Sequence, residues 1–541
     1  MSKLSKQLHL KTVTNYMNGE SFTLDPLTTL KMVCASSIFG EPQYYRSSKS
    51  TNSYLSNFSS YFLFSNNEKE TTEEYMERII DAALDYDFLQ TIEYAKSLRQ
   101  DYNIRINPQV IMVRAAIHPK RVQFNKEYPT VFMKIQQEVM LRADEPSYQL
   151  SYYLSSSNNK KNNLPSILKR SWAQKLSSLN AYQVAKYKNH ECGMINTIRI
   201  CHAHSDIIDE LMQTGKVCIS DYEKTWQNLR SENMTWKDIL STTYVPHMAL
   251  LKNLSGIFTE METNDTDFAK KVLKQLVNGV ENGKQFPYRY YNVYKHMPNG
   301  IPFKEMILDA IEECLQISLN NMPYLEGKTM VLSDNSGSAW GTLNTEYGSV
   351  KIAEIGNLSA VLTAMRSNDG YVGVFGDKLY TIQIDKNDTI LNNLEKVNIL
   401  GQQVGFGTEN GLWIFLENAI TNTIHWDNLF IYSDMQAGRG ELYCLEQDTI
   451  RYQQFLKATN LKGMARENYI NVLELLDYYR SHIHPNLNVF SIQTAGYDNN
   501  VLPNYLYRGA LLTGWTGKEA LFAKTLIDQW NQLERKNYDY S

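Results

Sequence analysis

Asp334, Ser336 and Ser338 spell D-x-S-x-S at the end of an apolar run, Thr329-Met330-Val331-Leu332-Ser333. A strand that buries Met330 and Leu332 delivers three small oxygen donors at its carboxyl end, where open α/β sheets bind ligands. Hard divalent cations such as Mg²⁺ take compact oxygen ligands in near-octahedral geometry and keep several waters. The spacing therefore predicts a divalent-cation site. Asp and Ser are also ordinary turn residues, so the stretch alone reads equally well as a plain strand-to-helix turn.

Two further positions shift that balance. Thr408 lies in the Gly-rich loop Gly405-Phe406-Gly407-Thr408-Glu409-Asn410-Gly411, ahead of the helical stretch Leu412–Ile420. Asp434 ends a second apolar run, Asn428-Leu429-Phe430-Ile431-Tyr432-Ser433. Asp, Ser and Ser, then Thr, then Asp, each at a strand end or helix start, resembles the metal-ion-dependent adhesion site (MIDAS) of von Willebrand factor A domains. The resemblance implies direct coordination of Mg²⁺ or another divalent cation by Ser336, Ser338 and Thr408. It implies that Asp334 and Asp434 act mostly through waters, with one position left open for a carboxylate or other anion. The alternative is a metal-free relic of the same fold.

The elements that must position these residues begin near residue 326. Short apolar runs (Thr329–Ser333, Tyr371–Phe375, Tyr380–Ile384, Asn428–Ser433, Leu487–Ile492, Ala510–Leu512) alternate there with helix candidates Val350–Arg366, Asn468–Arg480 and Lys518–Gln532. That is a βαβ series, predicting a doubly wound, mostly parallel sheet over residues 326–541. Gly376-Asp377-Lys378 is short enough for a hairpin, so one edge strand is expected to be antiparallel. Met435–Arg466 is long for a connection and, beyond the proposed metal, reads as a functional loop.

Residues 1–325 have a different texture. Apolar residues recur at three- and four-residue spacing in Leu168, Trp172, Leu176, Leu179 and in Leu250, Leu251, Leu254, Ile257, with Pro and Gly breakers between such stretches. No strand-like alternation interrupts them. Stacked helical pairs of the HEAT or armadillo sort are the expectation.

Composition bounds the rest. A chain of 541 residues exceeds one core and should divide into domains. The six cysteines are scattered with no C-x-x-C pair, which argues against a thiolate zinc site or a disulfide framework and fits a reducing compartment. No apolar run approaches the roughly 18 residues needed to span a bilayer, and Met1–Lys6 carries no apolar signal core. The expectation is a cytoplasmic protein with no membrane partner. The net charge of −4 conceals an asymmetry: residues 151–200 carry eight Lys/Arg against one acid, while residues 51–100 carry four against nine. A local basic zone is the footprint of a polyanion, although solvated helix faces also produce one.

Ala35-Ser36-Ser37-Ile38-Phe39-Gly40-Glu41-Pro42-Gln43-Tyr44-Tyr45 resembles the F-G-E-x-x-Y-Y signature of the TROVE module. The stretches Ala181–Lys188, Ile198–His202 and Pro246–Leu254 match in family order. A TROVE module followed by a von Willebrand A domain is the architecture of the Ro ribonucleoprotein family. The resemblance implies a helical-repeat ring whose basic outer surface binds small structured non-coding RNA of the Y type. It also implies a central aperture that accepts the single-stranded 3′ ends of defective or misfolded RNA, work alongside a 3′ exoribonuclease, and no catalysis. Met194 departs from the family, which has a His ahead of the Arg199 helix.

Phosphates are gripped by Lys, Arg and polar groups, and loose bases by stacking. The basic zone offers both. Lys169, Arg170 and Lys175 flank Trp172 on one expected helix, and Lys186 and Lys188 flank Tyr187 on the next. Arg199 and His202 share a face of a third, and Lys120 and Arg121 follow Pro119 in an earlier turn. Against this, Trp172 lies on the Leu168/Leu176 stripe and so reads better as core than as a stacking platform. The Lys186 and Lys188 stems can equally well snorkel over apolar surface. Three functions compete: a non-catalytic RNA scaffold, a metal-dependent protein-interaction module, and a metal-dependent nuclease. The nuclease ranks last, because two-metal chemistry needs clustered carboxylates and this site offers only Asp334 and Asp434 among hydroxyls.

Overall fold

The computed structural model describes residues 12–14, 20–22, 25–35, 72–102, 104–155, 163–188, 193–217, 224–345, 348–407, 410–433, 446–461, 472–493, 502, 506–513 and 518–538. These fall into two compact units. One lies within residues 26–243; the other comprises 244–541 with the strand pair β1 (Thr12–Thr14) and β2 (Glu20–Phe22). The change of texture at residue 325 lies inside the second unit.

The first unit is helical throughout its described residues. Helix Phe88–Gln100 packs on Ile106–Ile117, which packs on Glu145–Ser155; Met194–Cys201 packs on both Glu145–Ser155 and Ser166–Ser177. Asn180 starts the helix Ala181–Tyr187 with a reciprocal capping box to Gln183, which satisfies two backbone donors. Buried polar side chains of this unit are linked to one another. Gln149 Nε2 donates to Gln109 Oε1 (2.7 Å), while Gln149 Oε1 accepts from Gln136 Nε2 (2.5 Å) and Trp172 Nε1 (2.7 Å). Arg99 and Glu145 form a buried ion pair at 2.8 Å. Removing one partner of such a pair is costly, because the other charge is left buried alone.

The second unit carries helices followed by a six-stranded sheet in the order β10-β9-β8-β3-β6-β7. The strands are β3 (Leu325–Asp334), β6 (Ser367–Phe375), β7 (Leu379–Gln383), β8 (Asn428–Ser433), β9 (Asn488–Gln493) and β10 (Gly509–Thr513). A separate hairpin is formed by β4 (Thr342–Thr345) and β5 (Gly348–Lys351). All pairings of the large sheet are parallel except β6 with β7, which run antiparallel across the turn Gly376–Lys378, as the sequence predicts. The last six residues of β3 and all of β8 are buried, the continuous apolar pattern of strands covered on both faces. Helix Ile352–Met365 covers β3 and β6, with nearly every side chain buried.

Helices before the sheet belong to the same unit. Arg366 Nε donates to Met322 O (3.1 Å), Ile390 N donates to Gln316 Oε1 (3.3 Å), and Lys295 pairs with Glu354. Two expectations need correction. The stretch Met435–Arg466 is not simply a loop: it contains the helix Glu446–Thr459, whose Tyr452 is fully buried against Trp413. Nor are the first 325 residues free of strands, since β1 and β2 pair antiparallel; three-residue strands are too short to leave an alternation in sequence. The FGE signature at Phe39–Tyr45 lies outside the described residues.

Candidate functional site

Chain order crosses from β3 to β6 on one side and returns to β8 on the other, so the carboxyl end of β3 is the switch point where an open α/β sheet binds ligands. Asp334 stands there and is 4% exposed. Its Oδ1 accepts from Ser336 N (2.9 Å) and its Oδ2 from Ser433 Oγ (2.8 Å). Both carboxylate oxygens are thus oriented by the chain itself. Ser336 is buried and Ser338 exposed, with their hydroxyl oxygens 3.1 Å apart.

The turn is braced from beneath. Asn335 Nδ2 donates to Ser333 O (3.0 Å) and to Asn357 Oδ1 (2.8 Å), and Asn357 Nδ2 donates back to Asn335 Oδ1 (2.9 Å). Across the site the Gly-rich loop is held by Asp377, whose two oxygens accept from Phe406 N (2.8 Å) and Gly407 N (3.0 Å). Phe406 O in turn accepts from Gly337 N (3.0 Å). Thr408 and Asp434 lie outside the described residues. Their described neighbours, Phe406 and Ser433, both bond to the D-x-S-x-S turn.

This donor set fits a small hard cation. Two oxygens that share an octahedral edge around Mg²⁺, each about 2.1 Å from it, stand about 3.0 Å apart. The Ser336–Ser338 spacing matches that edge. Asp334, engaged by a backbone amide and a serine hydroxyl, is placed to act from behind them.

The basic positions all lie in the first unit. Arg170, Lys186, Arg199 and His202 are exposed; Lys169, Lys175 and Lys188 are half-buried. Lys186 Nζ lies over both Tyr182 (5.6 Å) and Tyr187 (5.5 Å). Arg142, which the sequence reading missed, covers the same Tyr187 ring at 5.5 Å and donates to its hydroxyl at 2.9 Å. Lys175 reaches Leu141 O at 3.3 Å, beside Arg142, and burial lowers the pKa of its ammonium. The fold therefore gathers Arg142, Lys175, Tyr182, Lys186 and Tyr187 into one cationic, aromatic surface. Lys188 turns instead to Gly215 O (3.4 Å). Lys120 bonds to Asp85 O and Arg121 is partly buried, its guanidinium pKa lowered by that burial. Trp172 is fully buried, with its indole N–H given to Gln149; it is core, as its place on the Leu168/Leu176 stripe suggested.

No family model and no curated protein sequence matches the chain. A solved structure does. The Ro (RSR) protein of Deinococcus radiodurans superposes with a TM-score of 0.55 at 12% identity, covering 85% of this chain and 95% of that one. The chain has the fold of a Ro protein. The chain itself carries a helical portion followed by a von Willebrand A-like α/β portion. Among the described residues no helix is long and apolar enough to cross a membrane.

A third grouping was not read from the sequence. His425, Asp427 and His484 bring ligand atoms within 4.8 Å of one another beside the amino end of β8. The only local signal was His-x-Asp, and its third member lies far along the chain.

Proposed function

We propose that the protein is a non-catalytic RNA-binding scaffold with a divalent-cation contact on its α/β unit. The observation that carries the reading is the surface on which Arg142 and Lys186 cover Tyr187, on a fold shared with a Ro protein. The guanidinium and the ammonium supply phosphate contacts, and aromatic rings beside them offer a face for an unpaired base. Arg170, Arg199 and His202 are exposed and Lys169 and Lys188 half-buried in the same unit, and they are the further phosphate contacts of this reading. Small structured non-coding RNA of the Y type is the proposed ligand. The free 3′ ends of misfolded RNA would enter the aperture that the Ro resemblance implies, with a 3′ exoribonuclease as working partner and the cytoplasm as location.

In the α/β unit, Ser336, Ser338 and Thr408 would hold the cation, with Asp334 and Asp434 behind them. A bound Mg²⁺ supplies a Lewis-acid contact for an acidic group of a partner. The residues themselves orient the donors: Ser433 and the amide of Ser336 hold Asp334, and Asn335 holds the turn. Nuclease chemistry is disfavoured because two-metal catalysis needs clustered carboxylates, and the proposed donor set offers only Asp334 and Asp434 among hydroxyls.

The test is a salt titration of binding to a structured RNA with a single-stranded 3′ tail, for wild type and for the Arg142→Ala/Lys169→Ala/Arg170→Ala/Lys186→Ala variant. Binding through about six phosphates gives a log–log salt slope near −4 to −5, made shallower by the variant. Weak binding at low salt, unaffected by the variant, would overturn the RNA reading. It would favour the second one, a metal-dependent protein-interaction module acting through Asp334 and the serines.

A further inference from the structure

We infer that His425, Asp427 and His484 form a second metal site, for a transition ion of the zinc type, at the end of the sheet opposite Asp334. Asp427 precedes β8, which runs parallel to β3 with Asn428 beside Thr329 and Tyr432 beside Ser333. Asp427 is level with Lys328, and the six residue steps from there to Asp334, at about 3.3 Å each, place it about 20 Å from the D-x-S-x-S turn.

The two histidines are brought together by one residue. Tyr479 Oη donates to Ile424 O (2.9 Å) and accepts from Trp426 N (2.8 Å), gripping the backbone on either side of His425. Tyr479 O also accepts from Ile483 N (2.8 Å) and His484 N (3.3 Å), which sets the turn that carries His484. Asp427 is fixed independently. Its amide donates to Lys328 O and its carbonyl accepts from Asn488 N, both at 2.9 Å. Its Oδ2 accepts from Lys328 N at 2.7 Å, leaving Oδ1 as the oxygen directed at both imidazoles. Gly327 has φ +86°, and a Cβ there would lie 2.4 Å from Asp427 Oδ2, so only glycine admits the carboxylate.

Two edges of the triad are open by a few tenths of an ångström, and its third, between the two imidazoles, lies within 4.8 Å. Asp427 Oδ1 is 3.6 Å from His484 Nε2 and 3.9 Å from His425 Nδ1. Ligands about 2.0–2.1 Å from a tetrahedral zinc ion stand about 3.3–3.4 Å apart. The imidazole rings lie 3.9 Å apart between centroids, tilted by 42°, so a small rotation of the exposed His425 closes the triad. Two histidines and one carboxylate suit zinc, cobalt or nickel better than magnesium. The carboxylate oxygen not facing the imidazoles is held by the Lys328 amide, the outer support that orients a metal ligand. Asp427 and His484 also line a cavity of about 370 Å³ with Asn486, Asn488 and Arg508, which leaves room for water at the fourth position. A stacked histidine pair beside an aspartate is the metal-free alternative, and it predicts no zinc affinity.

The experiment is titration of the chelator-stripped, full-length protein with zinc chloride alone, by calorimetry and by competition with a chromophoric chelator. Cobalt(II) absorption reports the coordination geometry. Wild type should bind one zinc ion at this site, with intense tetrahedral cobalt bands. His425→Ala and His484→Gln should each weaken it roughly 100-fold or more, since outer-shell partners alone are worth 10–100-fold. Asp334→Ala should leave it unchanged. His425 is 55% exposed, so its variant should fold, and metal-free melting temperatures check both variants. No zinc uptake by wild type, or uptake that both histidine variants retain, would overturn the assignment. Loss in Asp334→Ala alone would place the ion at the serines instead.

Discussion

Asn335 and Asn357 exchange two hydrogen bonds, each amide donating to the other's carbonyl oxygen at 2.8 and 2.9 Å. Asn335 sits inside the D-x-S-x-S turn and Asn357 on the helix that covers β3. Asn357 Oδ1 also accepts from Ser333 Oγ (2.8 Å) and its Nδ2 reaches Asn398 Oδ1 (2.8 Å). One fully buried amide therefore ties the strand end, the turn and two helices together. Asn357→Leu removes the amide and leaves Asn335 and Ser333 without their partner. Each buried group so stranded costs about 1–3 kcal/mol. The expected outcome is a loss of about 2–4 kcal/mol in urea unfolding, together with a weaker Mg²⁺-induced rise in melting temperature. An unchanged Mg²⁺ response would mean that the turn holds its geometry without the brace.

The Gly-rich loop makes a sharper demand. Gly405 has φ +89°, and a Cβ there would stand 2.0 Å from Asp377 Oδ2. That carboxylate holds Phe406 N and Gly407 N and so delivers the loop that leads to Thr408. Gly405→Ala should displace Asp377 and reduce Mg²⁺ affinity at least tenfold, read by calorimetry. The sheet should persist, since the loop lies outside it. Retention of full affinity would detach the loop from the cation site.

Much of this was legible in sequence where periodicity and spacing coincide. Asn428–Ser433 is a strand with the expected limits, because an uninterrupted apolar run bounded by polar residues admits little else. D-x-S-x-S could be picked out as a candidate cation site because three small oxygens in five residues already constitute a local motif, and the structure sets the Ser336 and Ser338 hydroxyl oxygens 3.1 Å apart. What could not be read was assembled over distance. Arg142 lies 45 residues before Tyr187, outside the basic zone, and only helix packing brings them together. His425 and His484 meet because Tyr479 binds two remote segments. Lys120 is polar and basic in sequence, yet its contact with the Asp85 carbonyl gives it a local structural partner.

Trp172 and Lys186 separate core from surface. Trp172 is fully buried and donates to Gln149, so Trp172→Ala should cost about 3–5 kcal/mol of stability. Under conditions where the variant remains folded, its RNA affinity should be nearly unchanged. Lys186→Ala should do the reverse: a melting temperature within a degree or two of wild type, and a salt slope shallower by about 0.7–0.9. Loss of RNA affinity in folded Trp172→Ala, with none in Lys186→Ala, would move the contact surface to another face.

His247 predicts an acid-sensitive fold. Its Nε2 lies 2.6 Å from Tyr290 Oη, and the ring is pressed between Gly279 and Gly283, where a Cβ would come within 2.6 and 2.5 Å of it. Burial lowers the imidazole pKa, opposed only in part by the Leu276 backbone. The folded state therefore binds this proton more weakly than the unfolded chain, whose histidines titrate near about 6.5. Stability is fully present above that pH and falls as pH drops through it toward the lower folded value; each tenfold weakening of proton affinity costs about 1.4 kcal/mol. Half-buried His484 is shifted in the same direction, by burial first and then by His425. The informative quantity is therefore the difference between wild type and His247→Gln. Urea unfolding from pH 7.5 to 5 should show a steeper loss for wild type than for the variant, although glutamine lowers stability at neutral pH by removing the buried ring. Parallel curves would show that His247 does not carry the acid sensitivity.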